Sequence, residues 1–284
     1  MKKLLMAAVA ASAFAVPALA QDDMSPSDRF NGFYVGGNVS LDATANDDDG
    51  GLTFDTNRDG TFGDVVRTAP PANANAFSPG FCGGQALGAT PGVGCADDDD
   101  NIAYSIRAGF DRRLGEDSML VAGLLVEATK HETTDFVTGF STTPASYTVA
   151  RGLDHSFAVR GRLGVSPGDG RGLFYVTGGL GYGKMEHSFA TTNTANSFTQ
   201  FDDDKYELGG QVGGGAELYV ARNISISLEY LYQSFEDDDY YVAVGQGSAP
   251  ATNPFLLNGG GTNLRPADTD YNLHSFKAGV NFRF

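Results

Sequence analysis

The chain has 284 residues, with 35 acidic side chains against 19 basic ones, a formal net charge of −16, 38 Gly, 20 Phe, 12 Tyr and no Trp. A surface of that sign excludes nucleic acid as a partner, because phosphate binding depends on Lys and Arg displacing counterions. After residue 20 no stretch approaches the roughly 18 to 20 continuous apolar residues that a bilayer-crossing helix needs, so any membrane crossing must use strands.

Residues 1–20 read as a removable export signal: Lys2 and Lys3 give a positive start, Leu4 to Val16 an apolar run, and Ala18-Leu19-Ala20 a small-residue cleavage site before Gln21. Removal of the two lysines takes the net charge from −16 to −18. A lipoprotein needs Cys immediately after the cut, and the first Cys here is Cys82, so no lipid anchor is expected. Residues 21–284 are expected to form one domain.

The first segment with strand character is Gly32 to Leu41, which puts Phe33, Val35, Gly37, Val39 and Leu41 on one face and Tyr34, Gly36, Asn38 and Ser40 on the other. Such alternation over about ten residues is the mark of a strand with lipid on one side and a lumen on the other. The following segment, Asp42 to Asp100, is a long acidic connection holding 11 of the 35 carboxylates. It also contains the chain's two cysteines, Cys82 and Cys95, and an exported pair normally closes a disulfide. Within it, Asp55, Asn57, Asp59 and Thr61 follow the opening of a calcium loop, with Gly60 at its sixth position. Val66 replaces the usual bidentate Glu, leaving Asp64 as a substitute ligand at an unusual offset. Calcium is therefore one reading of this stretch, and an Asx-rich turn is the other.

Seven more alternating segments follow, near residues 101–113, 118–129, 155–165, 173–184, 206–220, 224–233 and 274–284. Their apolar faces carry residues such as Ile106, Leu124, Val159, Leu180, Leu208, Leu228 and Val280. Their other faces carry the charges Arg107, Glu127, Arg160, Arg162, Glu207, Glu217, Glu229, Lys277 and Arg283, and Asp111 also turns inward. Connections alternate in length. Short turns fall at 115–117, 167–170 and 221–223, and long ones at 42–100, 130–154, 185–204 and 234–270. The chain thus reads as all-β, an eight-stranded antiparallel up-and-down transmembrane barrel with short periplasmic turns, long extracellular loops and both termini periplasmic. Eight strands enclose an interior that side chains just fill, so the inward charges are expected to pair with one another.

Gly32-Phe33-Tyr34-Val35-Gly36-Gly37, the stretch Tyr175-Val176-Thr177-Gly178-Gly179-Leu180-Gly181-Tyr182-Gly183 and the Phe284 ending resemble the small outer-membrane β-barrel proteins of Gram-negative bacteria, the opacity-like and OmpA-transmembrane-like surface antigens. The resemblance spans the strands but not the loops. It implies residence in the cell outer membrane, contact with its lipid and lipopolysaccharide, and recognition of the last strand, ending at Phe282 and Phe284, by the barrel-assembly machinery. The first loop is longer than the family habit, so loop-borne activities do not carry over.

Three functions stand open. The leading one is a non-enzymatic barrel that supports the envelope and presents loops, with a small-solute channel as the alternative. The third is a lipid-modifying enzyme of the outer leaflet, suggested by His-Ser-Phe at His155, His187 and His274. Neighbouring strand residues point to opposite faces, so His155 with Ser156, or His274 with Ser275, cannot share a nucleophile site without a bulge. Girdle residues at a membrane interface are the ordinary reading of these histidines.

Overall fold

A computed structural model describes residues 28–44, 50–98, 100–115 and 118–284; the segment expected to be an export signal, the Asp47–Asp49 run, Asp99 and residues 116 and 117 lie outside the described residues. Eight strands build the barrel: β1 (Gly32–Thr44), β2 (Asn101–Arg113), β3 (Leu120–Lys130), β4 (Ala145–Val165), β5 (Gly172–Thr191), β6 (Asp204–Ala221), β7 (Ile224–Glu236) and β8 (Asp270–Arg283). Each pairs antiparallel with its chain neighbour. Closure comes from β8 meeting β1, with Tyr34 opposite Arg283 and Val39 opposite Ala278. A closed sheet satisfies every backbone donor and acceptor between strands and leaves no edge to lipid.

The period-2 pattern decides which face is which. Phe33, Val35, Val39, Ile106, Leu124, Val126, Val159, Leu180, Val212, Phe276 and Val280 all stand exposed on the outside. Tyr34, Asn38, Arg107, Glu127, Arg160, Glu217 and Lys277, each displaced by an odd number of positions from such a residue on its strand, are buried within. At the end near the termini, the outer band is rimmed by Phe33, Phe110, Phe174, Phe282 and Phe284; at the other end it is rimmed by Tyr104, His155, Tyr182, Tyr206 and Tyr230. Roughly nine residues of tilted strand lie between the rims, the height of a bilayer's hydrocarbon.

Beyond the second rim the structure departs from the sequence reading. The segments 130–154 and 185–204, expected as loops, are largely strand, and 234–270 adds two short strands, Tyr241–Gly245 and Thr262–Pro266. β4 runs 21 residues and β5 runs 20, about twice what a crossing needs. A hairpin partner, Thr134–Ser141, continues the wall beside β4, and Gly80–Gly83 of the first connection pairs with it in turn. Facing this extension is a second sheet whose four strands come from three connections, in the order Ser197–Phe201, Tyr241–Gly245, Thr262–Pro266, Leu52–Asp55. Between the sheets lies an apolar core that includes Leu52, Phe54, Phe77, Val137, Tyr147, Val149, Tyr240, Val242, Val244, Phe255 and Leu264. The long connections therefore form one sandwich-like cap.

A bulge makes this possible. Against β5, Gly183 faces Ser156 but Met185 faces Leu153, so β4 carries an extra residue at Asp154 and His155. The insertion exchanges the faces of β4. Odd positions 157–165 look outward in the barrel, whereas Tyr147, Val149, Arg151 and Leu153, also odd, are buried inside the cap and its junction. Sequence parity alone cannot register that exchange, because apolar residues occupy odd positions on both sides of it. The Cys82–Cys95 disulfide is formed, closing the short hairpin in which Gln85–Ala86 pairs with Cys95–Ala96.

Leu124 sits near the middle of the apolar band, opposite Phe110 on β2 and Gly161 on β4. Leu124→Arg is expected to destabilise the barrel by about 2 to 4 kcal/mol in urea unfolding from lipid vesicles. Leu87→Arg, on the exposed tip of the disulfide hairpin, is expected to leave the same midpoint unchanged.

Candidate functional site

The lumen is the place where the fold concentrates chemistry, and it is filled in layers. Nearest the termini, Phe30, Val121, Leu173, Tyr175 and Tyr219 form a buried apolar cluster, with Phe30 edge-on to Tyr219 at 4.9 Å. Above it lies the first charge cluster. Arg162 pairs with Asp111 through Nε–Oδ1 at 2.7 Å and with Glu217 through Nη1–Oε2 at 2.9 Å. Arg283 reaches the same two carboxylates at 2.8 and 2.7 Å. The Tyr34 ring lies beneath both guanidinium groups, 4.8 Å from Arg162 and 4.6 Å from Arg283. It has room because β2 carries Gly109 there: a Cβ at that position would run into the Tyr34 ring.

The second charge cluster occupies the middle of the barrel. Arg160 bridges Glu229 at 2.7 Å and Glu127 at 3.2 Å, and Lys277 closes on Glu127. The Tyr175 hydroxyl donates to Glu229 at 2.8 Å. Arg107 donates to Asn281 Oδ1 (2.9 Å) and Ser227 Oγ (2.7 Å) and lies 4.0 Å from Glu229. Five cations thus meet four carboxylates, all nearly inaccessible to water. In such surroundings an isolated charge is costly and a paired, hydrogen-bonded one is tolerated.

The membership differs by one residue from the inward charges read in the sequence. Asp111 is at the heart of the first cluster, while Glu207 lies nearer the cap, half-buried and 3.8 Å from Lys205. Both share the inward parity; depth along the barrel separates them. Farther up, Gln211 donates to Gln233, which donates to Ser275, and an apolar layer of Leu153, Met185, Phe235, Tyr271 and Leu273 seals the interior beneath the cap.

At that upper level stands a triad that the sequence did not reveal. His131 Nδ1 lies 2.6 Å from Asp42 Oδ2, and its Nε2 lies 3.0 Å from Ser156 Oγ. All three are buried, at 2, 1 and 3 % exposure. Asp42 comes from β1, His131 follows β3, and Ser156 is on β4, so only strand pairing brings them together. The His-Ser-Phe histidines lie elsewhere. His155 turns outward, bonding Asp154 and, through Nε2, the Tyr206 hydroxyl at 2.8 Å. His274 meets the Tyr230 hydroxyl at 2.7 Å. Both belong to the aromatic rim. Even with a bulge at His155, Ser156 serves His131.

In the first connection, Asp55, Asn57, Asp59, Thr61 and Asp64 are gathered into one turn. Asp55 accepts the Asp59 and Gly60 N–H groups, Asp59 accepts the Thr61 N–H, and Asp64 accepts both the N–H and the hydroxyl of Thr56. The oxygens proposed as ligands are engaged as turn acceptors. Among the described residues no cluster of three or more His, Cys, Asp or Glu side chains has metal-holding geometry.

Removing one member of the second cluster should be felt strongly, because it leaves a buried charge without its partner. Glu127→Gln, which deprives Lys277 and Arg160 of a counter-charge, is expected to cost about 3 kcal/mol in unfolding from detergent or vesicles. The double variant Glu127→Gln/Lys277→Gln is expected to recover part of that loss, a difference that a double-mutant cycle measures directly.

Comparison with known proteins places this architecture. The family model described as "Outer membrane protein beta-barrel domain" matches residues 6–284. The 31 kDa outer-membrane immunogenic protein of Brucella melitensis biotype 1 is 29% identical over 126 residues, 44% of either chain. The 22 kDa outer membrane protein of Rhizobium leguminosarum bv. viciae is 34% identical over 91 residues, 32% of this chain and 38% of that one. The match thus spans less than half the length of these relatives. Among solved structures, the outer membrane protein OprG from Pseudomonas aeruginosa aligns over 92% of this chain and all of its own, at 11% identity and a TM-score of 0.46. Neisserial surface protein A aligns over 89% of this chain and 98% of its own, at 10% identity and a TM-score of 0.36.

Proposed function

Because the chain belongs to the outer membrane β-barrel family, we propose that it serves the bacterial outer membrane as a closed, non-enzymatic barrel that supports the envelope and holds a rigid protein cap outside it. The observation that carries this reading is the lumen, occupied from Phe30 to Leu273 by apolar layers and neutralising charge clusters. A barrel of eight strands has room for side chains or for a small-solute path, and here the side chains take it.

In this reading both termini face the periplasm and the cap faces outward. The lipid face and its aromatic rims engage membrane lipid, with lipopolysaccharide at the upper rim. The alternating strand that ends in Phe282 and Phe284 is the segment presented to the barrel-assembly machinery. Surface contacts fall to the cap, which stands clear of the bilayer. The word immunogenic in the name of the Brucella relative, applied to that protein, is consistent with such exposure. Asp42, His131 and Ser156 form a cross-tie between strands in this reading, since a nucleophile needs a path for substrate and Ser156 is enclosed.

Purified protein in planar bilayers is expected to give no reproducible single-channel steps, and steady conductance would replace the closed-barrel reading with a channel. A fluorophosphonate probe applied to the folded protein is expected to leave Ser156 unlabelled. Labelling lost on His131→Ala would restore the enzyme.

A further inference from the structure

The second sheet of the cap ends on a strand that has a single neighbour. Ser197–Phe201 pairs antiparallel with Tyr241–Gly245, from Ser197 opposite Gly245 to Phe201 opposite Tyr241, and among the described residues no strand pairs with its other edge. In an antiparallel pair the N–H and C=O groups of alternate residues point away from the neighbour, so this edge offers a row of backbone donors and acceptors. Sheet proteins ordinarily blunt such an edge with Lys, Pro or an inward charge. Here residues 187–201 hold no Asp, Glu, Lys, Arg or Pro, in a chain whose net charge is −16.

The edge is fixed in place, so a segment that joins it has little of the cap to order. Asn193 donates to the Tyr147 hydroxyl at 3.0 Å, and Asn196 donates to the Gly245 carbonyl at 3.0 Å and accepts from Asn253. Phe198 and Gln200 are half-buried, with Phe198 against Phe189 at 5.1 Å and Gln200 accepting from the Tyr240 hydroxyl at 3.0 Å. Ser197, Thr199 and Phe201 face out, and the Phe201 ring, 42 % exposed, stacks on Tyr241 at 4.9 Å. Just past the edge, Asp202 and Asp203 are exposed and pair with no cation among the described residues, whereas Asp204 meets Lys184 at 3.0 Å.

We propose that Ser197–Phe201 is a docking edge for an extended segment of another protein, which adds to the cap as a fifth strand of its second sheet and sets a basic residue beside Asp202 and Asp203. The free edge decides the conformation of the occupant, because only another extended backbone satisfies such a row along its length. Strand alternation decides its side chains, with an aromatic or apolar residue beside the exposed Phe201 ring. The two unpaired carboxylates decide its cation. A second copy of this chain fits the edge less well, since it would bring another strongly acidic cap against the first. This inference rests on the reading of the cap as the part of the protein that makes surface contacts.

The test is a labelled synthetic peptide, Lys-Lys-Tyr-Val-Ala-Val-Gly, added to the full barrel in vesicles of zwitterionic lipid and followed by fluorescence anisotropy. Its last five residues copy the strand Tyr241–Gly245 that already pairs with Ser197–Phe201, and in the same antiparallel sense its lysines fall beside Asp202 and Asp203. Saturable binding is expected. Two further peptides, N-methylated at one or the other set of alternate residues, keep the side chains but each lose one row of N–H groups; one is expected to bind like the parent and the other at least about tenfold more weakly. Asp202→Asn combined with Asp203→Asn, in which Asn suits the left-handed backbone of residue 202 (φ 55°), is expected to weaken the parent peptide by about threefold or more and to flatten its dependence on salt. No saturable binding, equal affinity of the two N-methylated peptides, or binding indifferent to the loss of both carboxylates overturns the proposal. A dimer of the protein alone that the peptide takes apart assigns the edge to a second copy and overturns it as well. A conducting lumen would leave peptide binding intact, and absent binding would leave the lumen closed, so the two readings fail separately.

Discussion

Charge neutralisation inside a lumen too narrow for bulk water is the constraint on which the rest of this molecule depends. Arg162 and Arg283 each hold both Asp111 and Glu217, and Arg160 holds Glu229 and Glu127 with Lys277 beside it. These ties cross the barrel between strands far apart in sequence, so closure of the wall and pairing of the charges require each other. A strand slipped by one residue would turn all of its inward side chains to the lipid side. Desolvation of that many ionised groups would then have no compensation. The apolar layers at either end, around Tyr219 below and Phe235 above, keep the clusters dry and thereby strengthen them.

The same closed wall explains the cap. Because β4 and β5 are held in register through the membrane, they continue as a rigid platform beyond it, and the bulge at Asp154 and His155 turns the inner face of β4 from polar to apolar at that height. The first connection supplies Leu52 and Phe54 as well as the disulfide hairpin, and the last supplies Val242, Val244 and Leu264. No single connection owns this structure. The cap is a surface that all the long connections share.

The buried Asp42, His131 and Ser156 show why atomic constellations need an accessibility test. Their distances match a relay that activates serine, yet they sit where three barrel elements converge beneath the cap. Placed there, the relay satisfies three polar groups that would otherwise be buried unpaired, which is reason enough for it to exist.

By itself the sequence determined what a local rule can carry. Side chains of a strand alternate, so eight runs of alternating polarity were enough to define the number of barrel strands, the lipid face and the inward charges. Alternating connection lengths defined the up-and-down order, and a chain with two cysteines has one intramolecular pairing open to it. Only the tertiary structure decided quantities that depend on depth and on partners distant in the chain. It put Asp111 rather than Glu207 into the charge cluster, because parity reports the face of a residue and not its height. It joined His131, a residue in no repeated motif, to Asp42 and Ser156 through strand pairing. It turned connections into a cap because a single extra residue in β4 exchanged its faces, and a bulge leaves no trace in the pattern when apolar residues occupy odd positions on either side of it.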